Sequence, residues 1–143
     1  MNKKIKNAKK QFYNGIQFKS DLEVMGYKTL VENGFNPQYE KKTFILSDKL
    51  KPSLPFYART KKLPFRLNVR TIDSITYTPD FTFNYKGLFV IVEMKGRAND
   101  VYPYKRNLFR KLMDKEKNTI FFEIYTKKEL LKAIEIIKNY ESE

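Results

Sequence analysis

Residues 75–95 read ITYTPDFTFNYKGLFVIVEMK, and this stretch predicts a β-hairpin that carries charged side chains at its open end. Apolar and polar residues alternate through its first half, and an unbroken apolar run fills its second half, as in a buried strand. Residues two apart on a strand lie on the same face, so Glu93 and Lys95 should point the same way. The hairpin then places Asp80 beside them.

Two carboxylates and a lysine in this arrangement suit metal-dependent cleavage of a phosphodiester. Mg²⁺ and Mn²⁺ prefer hard oxygen ligands, which Asp80 and Glu93 would supply. Lys95 would orient or help deprotonate the attacking water, or stabilise the charge that develops on the phosphate. The alternative is structural, with Asp80 as a turn residue after Pro79 and the other two on a solvated strand face. Burying unpaired charge at the end of an apolar strand is costly, so the three together favour the catalytic interpretation.

Composition excludes several kinds of chemistry. The chain has no histidine, which excludes Ser/His/Asp catalysis and imidazole acid–base chemistry, and no cysteine, which excludes disulfides and thiolate zinc sites. Its 143 residues, with 12 Phe and 10 Tyr, predict a single domain at 12–143 after a flexible basic arm at 1–11. No apolar run approaches the ~20 residues that span a bilayer, so we expect a cytoplasmic protein with no membrane partner.

The net charge of +13, from 29 basic and 16 acidic residues, predicts a polyanionic partner, with nucleic acid as the leading candidate. A solubilising surface is the alternative, but the charge is an imbalance rather than a mixture of signs. A Pro-containing basic loop is predicted at about 47–66, where Phe56, Tyr57 and Phe65 are interleaved with Lys and Arg. Such a loop would face DNA, dock a partner subunit, or serve as an ordinary surface loop.

Periodicity and capping signals predict an α/β domain built on a central mixed β-sheet, in the order α-β-β-β-β-α-β-α. Ser20 begins the first helix, and Gly34 stops it. Alternation through 75–85 assigns Tyr77 to the same face as Phe81. The predicted helices cover about 20–33, 103–116 and 126–140, and the predicted strands cover 38–46, 67–77, 80–85, 88–95 and 119–125.

Glu23 is a further candidate for the site. It lies three residues after Ser20, which is the capping-box pattern of a helix start and needs no catalytic role. Taken alone, that structural interpretation is the better one. If the helix packs beside the hairpin, however, Glu23 could supply another carboxylate to the metal.

The helix predicted at 103–116 carries the candidate DNA contacts. Its predicted buried stripe is apolar and consists of Tyr104, Leu108, Leu112 and Met113. The basic side chains left outward would contact phosphates or form a solvated helix face. They are Lys105, Arg106 and Arg110 on this helix, with Arg97 in the loop before it.

At these residues the chain resembles the PD-(D/E)xK nuclease superfamily. Pro79-Asp80, followed after a gap by Glu93-Met94-Lys95, matches the central motif of the superfamily. The segment from Phe18 to Glu23 is similar to the Phe-x-Ser-x-x-Glu opening of the first helix in one subgroup. That subgroup includes the small phage endonuclease I enzymes, which resolve Holliday junctions, and the end-cleaving subunit of certain transposases. The resemblance spans roughly residues 15–125.

The resemblance implies a restriction-endonuclease-like core, in which helices flank the central mixed sheet. It implies that Asp80, Glu93 and the backbone carbonyl of Met94 bind Mg²⁺, for which Mn²⁺ could substitute. Lys95 would be the catalytic lysine, and Glu23 would be an active-site carboxylate rather than only a cap. The phage enzymes are intertwined dimers, so the resemblance also implies a homodimer acting on DNA, encoded by a phage and active in the bacterial cytoplasm.

Several functions are compatible with the sequence. The leading hypothesis is a metal-dependent endodeoxyribonuclease, and a branched DNA such as a Holliday junction is the substrate that the resemblance implies. A nuclease for linear or single-stranded DNA would carry the same motif. A catalytically inactive nuclease-fold module that only binds DNA is disfavoured, because paired carboxylates repel the phosphate backbone unless a cation lies between them. A basic structural or ribosome-associated protein would explain the charge but not the motif, and RNA is an alternative substrate.

Overall fold

The structure is a computed structural model of the chain, and it describes residues 10–97, 99 and 101–141. The flexible basic arm predicted at 1–11 therefore lies outside the described residues, except for Lys10 and Gln11. Within the described residues, none of the helices combines the length and the hydrophobicity needed to cross a bilayer.

Three helices and ten strands form a mixed α/β fold in the described part of the chain, which confirms the predicted fold class at this level. The helices are α1 (Asp21–Glu32), α2 (Tyr102–Met113) and α3 (Lys127–Lys138). The strands are β1 (Gln11–Tyr13), β2 (Ile16–Phe18), β3 (Gln38–Tyr39), β4 (Phe44–Ser47), β5 (Tyr57–Ala58), β6 (Arg66–Leu67), β7 (Ile75–Tyr77), β8 (Phe81–Tyr85), β9 (Leu88–Met94) and β10 (Thr119–Ile124). The central sheet is mixed and has the order β10-β9-β8-β3, with β10 parallel to β9 and the other neighbours antiparallel.

The hairpin predicted from residues 75–95 is present as β8 and β9. Its two-residue turn, Lys86-Gly87, has positive φ angles of 46° and 82°, which is the backbone that a type I′ turn requires. Strand β9 is buried because side chains of α1 and α3 pack on one of its faces and side chains of α2 pack on the other. Burial on both faces explains why this strand is an unbroken apolar run.

The first helix begins and ends where its sequence predicts. The Ser20 hydroxyl accepts the Glu23 backbone N–H at 3.2 Å, which caps the start of α1. Gly34 follows the end of the helix with a φ of 88°, a conformation that glycine adopts without steric penalty. Within α1, a Cβ added to Gly26 would lie 3.0 Å from the Met94 sulfur. The absence of a side chain at this position lets α1 pack closely against the end of β9.

Two predicted strands are wrong as continuous elements, because each is divided in the structure. The strand predicted at 38–46 is β3 and β4, which belong to different sheets. Glu40 lies between them with a φ of 45°, and the chain leaves the central sheet there. The strand predicted at 67–77 is likewise divided into β6 and β7. The helix predicted at 103–116 is α2, and its last residue is Met113.

Between β4 and β7 the chain doubles back on itself as an antiparallel ribbon, which we call the basic ribbon (residues 48–74). Strand β4 pairs with β7, Leu50 forms a bridge with Ile72, and β5 pairs with β6 further along. The loop predicted at 47–66 therefore contains β5 and the first residue of β6. The pairing gives this segment more order than its three prolines alone would indicate.

Tyr77 lies on the opposite face from the one predicted. It packs with Tyr102 and Phe109 in the cluster under α2, whereas Phe81 packs in the cluster under α1 and α3. Pro79 lies between β7 and β8, outside both strands. The two-residue period therefore does not continue from one strand into the next.

Candidate functional site

The candidate site lies at the open end of the hairpin, where β8 begins and β9 ends. The Asp80 backbone N–H donates to Glu93 Oε2 at 3.2 Å, and the Met94 backbone N–H donates to Asp80 Oδ2 at 2.7 Å. These bonds follow directly on the pairing of Phe81 with Val92, the last pair of the β8–β9 ladder. Backbone geometry thus fixes the two carboxylates next to each other.

Both of these carboxyl groups are buried and electrostatically strained. Burial, followed by the nearby charges of Glu93 and Glu23, raises the pKa of Asp80 to about 9, although the bond from the Met94 N–H acts in the opposite direction. Burial also raises the pKa of Glu93, against the opposing effects of Lys95 and Tyr77. Without a bound cation, the carboxyl cluster is therefore expected to hold a proton at neutral pH.

The first turn of α1 brings Glu23 into the same cluster. Its Oε2 accepts the Ser20 hydroxyl at 2.8 Å, and its Oε1 accepts the Tyr39 hydroxyl at 3.0 Å. Burial and the charge of Glu23 raise the pKa of Tyr39, so this phenol stays protonated as a donor. Glu23 therefore both completes the capping box with Ser20 and lies beside Asp80, so the helix-cap arrangement and the active-site arrangement predicted from the sequence are both present.

Glu40 is a member of the cluster that the sequence reasoning missed. One carboxylate oxygen of Glu40, one of Glu23 and one of Asp80 lie within 4.8 Å of one another. The Glu40 N–H donates to the Asp80 carbonyl at 2.8 Å, and Lys19 Nζ lies 2.6 Å from Glu40 Oε1. Reading 38–46 as one regular strand gave Glu40 no special position, and its positive φ leaves no recognisable pattern in the sequence.

Glu93 faces a different set of partners from the other three carboxylates. Its Oε2 also accepts the Tyr77 hydroxyl at 2.8 Å, and its Oε1 lies 3.1 Å from Lys95 Nζ. The same ammonium group lies 3.8 Å from the centroid of the Tyr102 ring. Glu93 and Lys95 do point the same way, and Lys95 is held between a carboxylate and an aromatic face.

A second group of side chains supports Tyr102 from β10. Glu123 accepts the hydroxyl groups of Tyr102 and Tyr125 at 2.9 Å each, and its nearest contact with the Arg106 guanidinium is 3.3 Å. Burial acts to raise the pKa of Glu123, but these hydrogen bonds outweigh it and hold the pKa below its usual value. This network fixes the ring on which the Lys95 ammonium rests.

The predicted DNA-contacting residues lie in different environments. Arg97 and Arg110 are exposed, Lys105 is half-buried, and Arg106 forms its ion pair with Glu123. The predicted apolar stripe of α2 is only partly correct, because Met113 packs against the cluster of Tyr102 and Phe109 but the other predicted residues are exposed. Tyr104, which was assigned to the stripe, is 74% exposed. The buried face of α2 is the one that carries Tyr102 and Phe109, two turns apart on the helix.

A family model described as "Protein of unknown function (DUF1064)" matches residues 3–129. The chain belongs to the DUF1064 family. The matched region contains the whole carboxylate cluster together with Lys95, so the candidate site lies inside the part of the chain that defines DUF1064 membership. No curated protein and no solved structure matches the chain. The description of the DUF1064 family assigns no activity, so function has to be inferred from the site itself.

The donor set in this DUF1064 protein fits a divalent cation. Glu23, Glu40 and Asp80 offer carboxylate oxygens from three separate segments, which are the hard ligands that Mg²⁺ and Mn²⁺ take. Burial and, after it, the charges of Glu93 and Glu23 raise the pKa of Asp80, and a bound cation would compensate that charge. Met94 belongs to the same end of β9, and its N–H already positions Asp80.

Proposed function

We propose that this DUF1064 protein is a metal-dependent endodeoxyribonuclease with a restriction-endonuclease-like core. The carrying observation is the convergence of Glu23 from α1 with Asp80, Glu93 and Lys95 from the hairpin. These are the four side chains that the motif resemblance nominates as catalytic. A divalent cation bound among these carboxylates would offset the repulsion between them and could contact a phosphate.

Each of these residues would have a distinct role in phosphodiester hydrolysis. A bound Mg²⁺ would supply an activated water and neutralise charge on the phosphorus oxygens. Asp80, Glu23 and Glu40 would hold it, and the Met94 carbonyl would add a backbone ligand. Lys95 is held by Glu93 and by the Tyr102 ring, so its remaining N–H groups can donate to the phosphate or to the attacking water. Glu93 would complete the metal site or orient Lys95 from beside it.

The charge of the chain supports DNA as the substrate. A net charge of +13 favours association with a polyanion, and the exposed Arg97 and Arg110 lie on or next to the helix that follows the site. Lys105 would add a contact to the backbone phosphates. Branched DNA and a homodimer, with one site for each of two strands, extend the proposal by analogy with the junction-resolving enzymes.

The test is cleavage of a labelled four-way junction, its matching linear duplex and a single strand, each in Mg²⁺, in Mn²⁺ and in EDTA. The proteins would be wild type, Asp80→Asn and the matched control Asp114→Asn, which makes the same charge change at the exposed end of α2. We expect metal-dependent cleavage by wild type and the control, and none by Asp80→Asn.

Three outcomes separate the candidate functions. Paired nicks near the branch would establish a junction-resolving activity, whereas equal cutting of all substrates would leave a nuclease without branch specificity. Binding without cleavage in both metals would contradict the nuclease proposal and favour an inactive DNA-binding module. Cleavage that survives Asp80→Asn would place the chemistry elsewhere in the chain.

A further inference from the structure

The basic ribbon is an ordered element rather than a featureless connection. Its turn is closed by a bond from the Thr60 N–H to the Leu63 carbonyl at 2.9 Å. The Thr60 hydroxyl also accepts the Leu63 N–H at 3.0 Å, and the Asn68 N–H donates to the Phe56 carbonyl at 2.7 Å. Backbone pairing therefore fixes which side chains the ribbon presents together.

The ribbon presents large apolar side chains to solvent. Tyr57 and Phe65 are 56% and 73% exposed, and their rings stack on one face of the ribbon with centroids 6.1 Å apart. Leu54 and Phe56 are also exposed, but the strand register places Phe56 on the opposite face. Neither hydrophobic cluster in the described part of the chain includes a residue of this ribbon. Exposed aromatic side chains concentrated in one ordered element indicate a binding surface.

The charge of the ribbon favours a polyanionic partner. Residues 48–74 contain seven Lys and Arg against two Asp, and Arg59, Lys61 and Lys62 lie at or beside its turn. A second copy of the chain would bring the same positive charge and repel it. A DNA strand brings phosphates for the basic groups, and its bases stack on aromatic rings where they are not already stacked on one another.

We propose that the basic ribbon binds DNA where the bases are unpaired or unstacked, with Tyr57 and Phe65 stacking on them and the surrounding lysines and arginines contacting phosphates. A continuous duplex hides the faces of its bases, so only the electrostatic part of this contact would be available to it. The ribbon would therefore give the protein its preference for forked or branched DNA. This inference rests on the proposed function only in taking DNA as the partner, because it concerns binding and not cleavage.

The test measures affinity for a labelled fork with unpaired arms and for the matching duplex, by fluorescence anisotropy in EDTA, so that no cleavage occurs. The variants are the double change Tyr57→Ala/Phe65→Ala and the single change Phe65→Leu, which keeps an apolar side chain but removes the ring. Phe12→Ala is the matched control, because Phe12 is an aromatic residue outside the ribbon and is 76% exposed. Circular dichroism would verify that each variant is folded.

We expect the double variant to bind the fork about tenfold more weakly or worse, and the duplex with less than about a threefold change. Phe65→Leu should lose part of the fork preference, and Phe12→Ala should keep all of it. An equal loss on fork and duplex, or no loss, would overturn the inference. So would dissociation of a wild-type dimer by Phe65→Ala in sedimentation, because the ribbon would then be a subunit interface.

Failure of this inference differs from failure of the nuclease proposal. A protein that binds forks through its ribbon and cuts nothing in Mg²⁺ or Mn²⁺ would contradict the nuclease proposal and support the ribbon inference. A metal-dependent nuclease whose fork preference survives the double variant would do the reverse.

Discussion

Replacing Asp80 with asparagine should stabilise the metal-free protein, and the gain should grow with pH. Asparagine keeps an oxygen that can accept the Met94 N–H, and it offers an amide N–H to Glu23 while removing one negative charge. The change therefore relieves the repulsion within the carboxyl cluster without removing the hydrogen bonds that hold the hairpin end.

The magnitude follows from the pKa of Asp80, which is about 9 in the folded chain against an ordinary value of 3.8. Between these values the folded chain holds a proton that the unfolded chain has released, so the free energy of unfolding falls as the pH rises. The slope for one proton is at most about 1.4 kcal/mol per pH unit. From about pH 6 to pH 8, wild type should lose about 3 kcal/mol relative to Asp80→Asn, or about 8 °C in Tm for a domain of this size.

The assay is thermal unfolding in EDTA at several pH values between those limits, followed by circular dichroism. Asp114→Asn is again the control, and its pH dependence should parallel that of wild type. Saturating Mg²⁺ should raise the Tm of wild type, most strongly at high pH, and should leave that of Asp80→Asn nearly unchanged. Parallel pH curves for wild type and Asp80→Asn would refute the reasoning, because the carboxyl cluster would then not hold a proton.

Substitutions at four other residues test the parts of the site separately. Glu40→Gln should weaken Mg²⁺ binding at least tenfold in calorimetry while the fold is kept, and unchanged affinity would remove this residue from the metal site. Lys95→Met should reduce the cleavage rate about 100-fold while Mg²⁺ affinity stays intact. Tyr102→Leu should reduce the cleavage rate less, and Tyr102→Phe, which keeps the ring under the Lys95 ammonium, should cleave at nearly the wild-type rate. Gly26→Val should lower the free energy of unfolding by about 1–3 kcal/mol and weaken Mg²⁺ binding, because the valine side chain would push α1 away from Met94. A variant with wild-type stability would show instead that the Met94 side chain moves aside.

What the sequence predicted well depends on residues that are close along the chain. The turn of the hairpin, the buried character of β9 and the cap of α1 each follow from local patterns, and the structure has all three. The pairing of Asp80 with Glu93 follows in turn, because the length of the hairpin fixes its register. Local rules therefore extend across the sheet only where a tight turn sets the alignment.

What the sequence did not predict depends on single backbone conformations and on contacts between distant segments. Glu40 enters the site because its φ is positive, which is uncommon for a residue other than glycine. Tyr77 contacts Glu93 because Pro79 interrupts the alternation that would have placed it on the other face. Glu123 supports Tyr102 because β10 pairs in parallel with β9 across a helix, a contact that no local pattern encodes.

The carboxylates of the candidate site have enough hydrogen-bond donors but not enough positive charge, which is the situation that a divalent ion would correct. In the described part of the chain, every buried side-chain nitrogen and oxygen has a hydrogen-bond partner, so the carboxyl cluster lacks no donors. The cluster lacks positive charge, because only two ammonium groups are in direct contact with its four carboxylates. The carboxylates are those of Glu23, Glu40, Asp80 and Glu93, and the ammonium groups are those of Lys19 and Lys95. The formal deficit equals the charge of one Mg²⁺ or Mn²⁺. A bound Mg²⁺ or Mn²⁺ would supply that charge in place of the proton that the metal-free cluster is expected to hold.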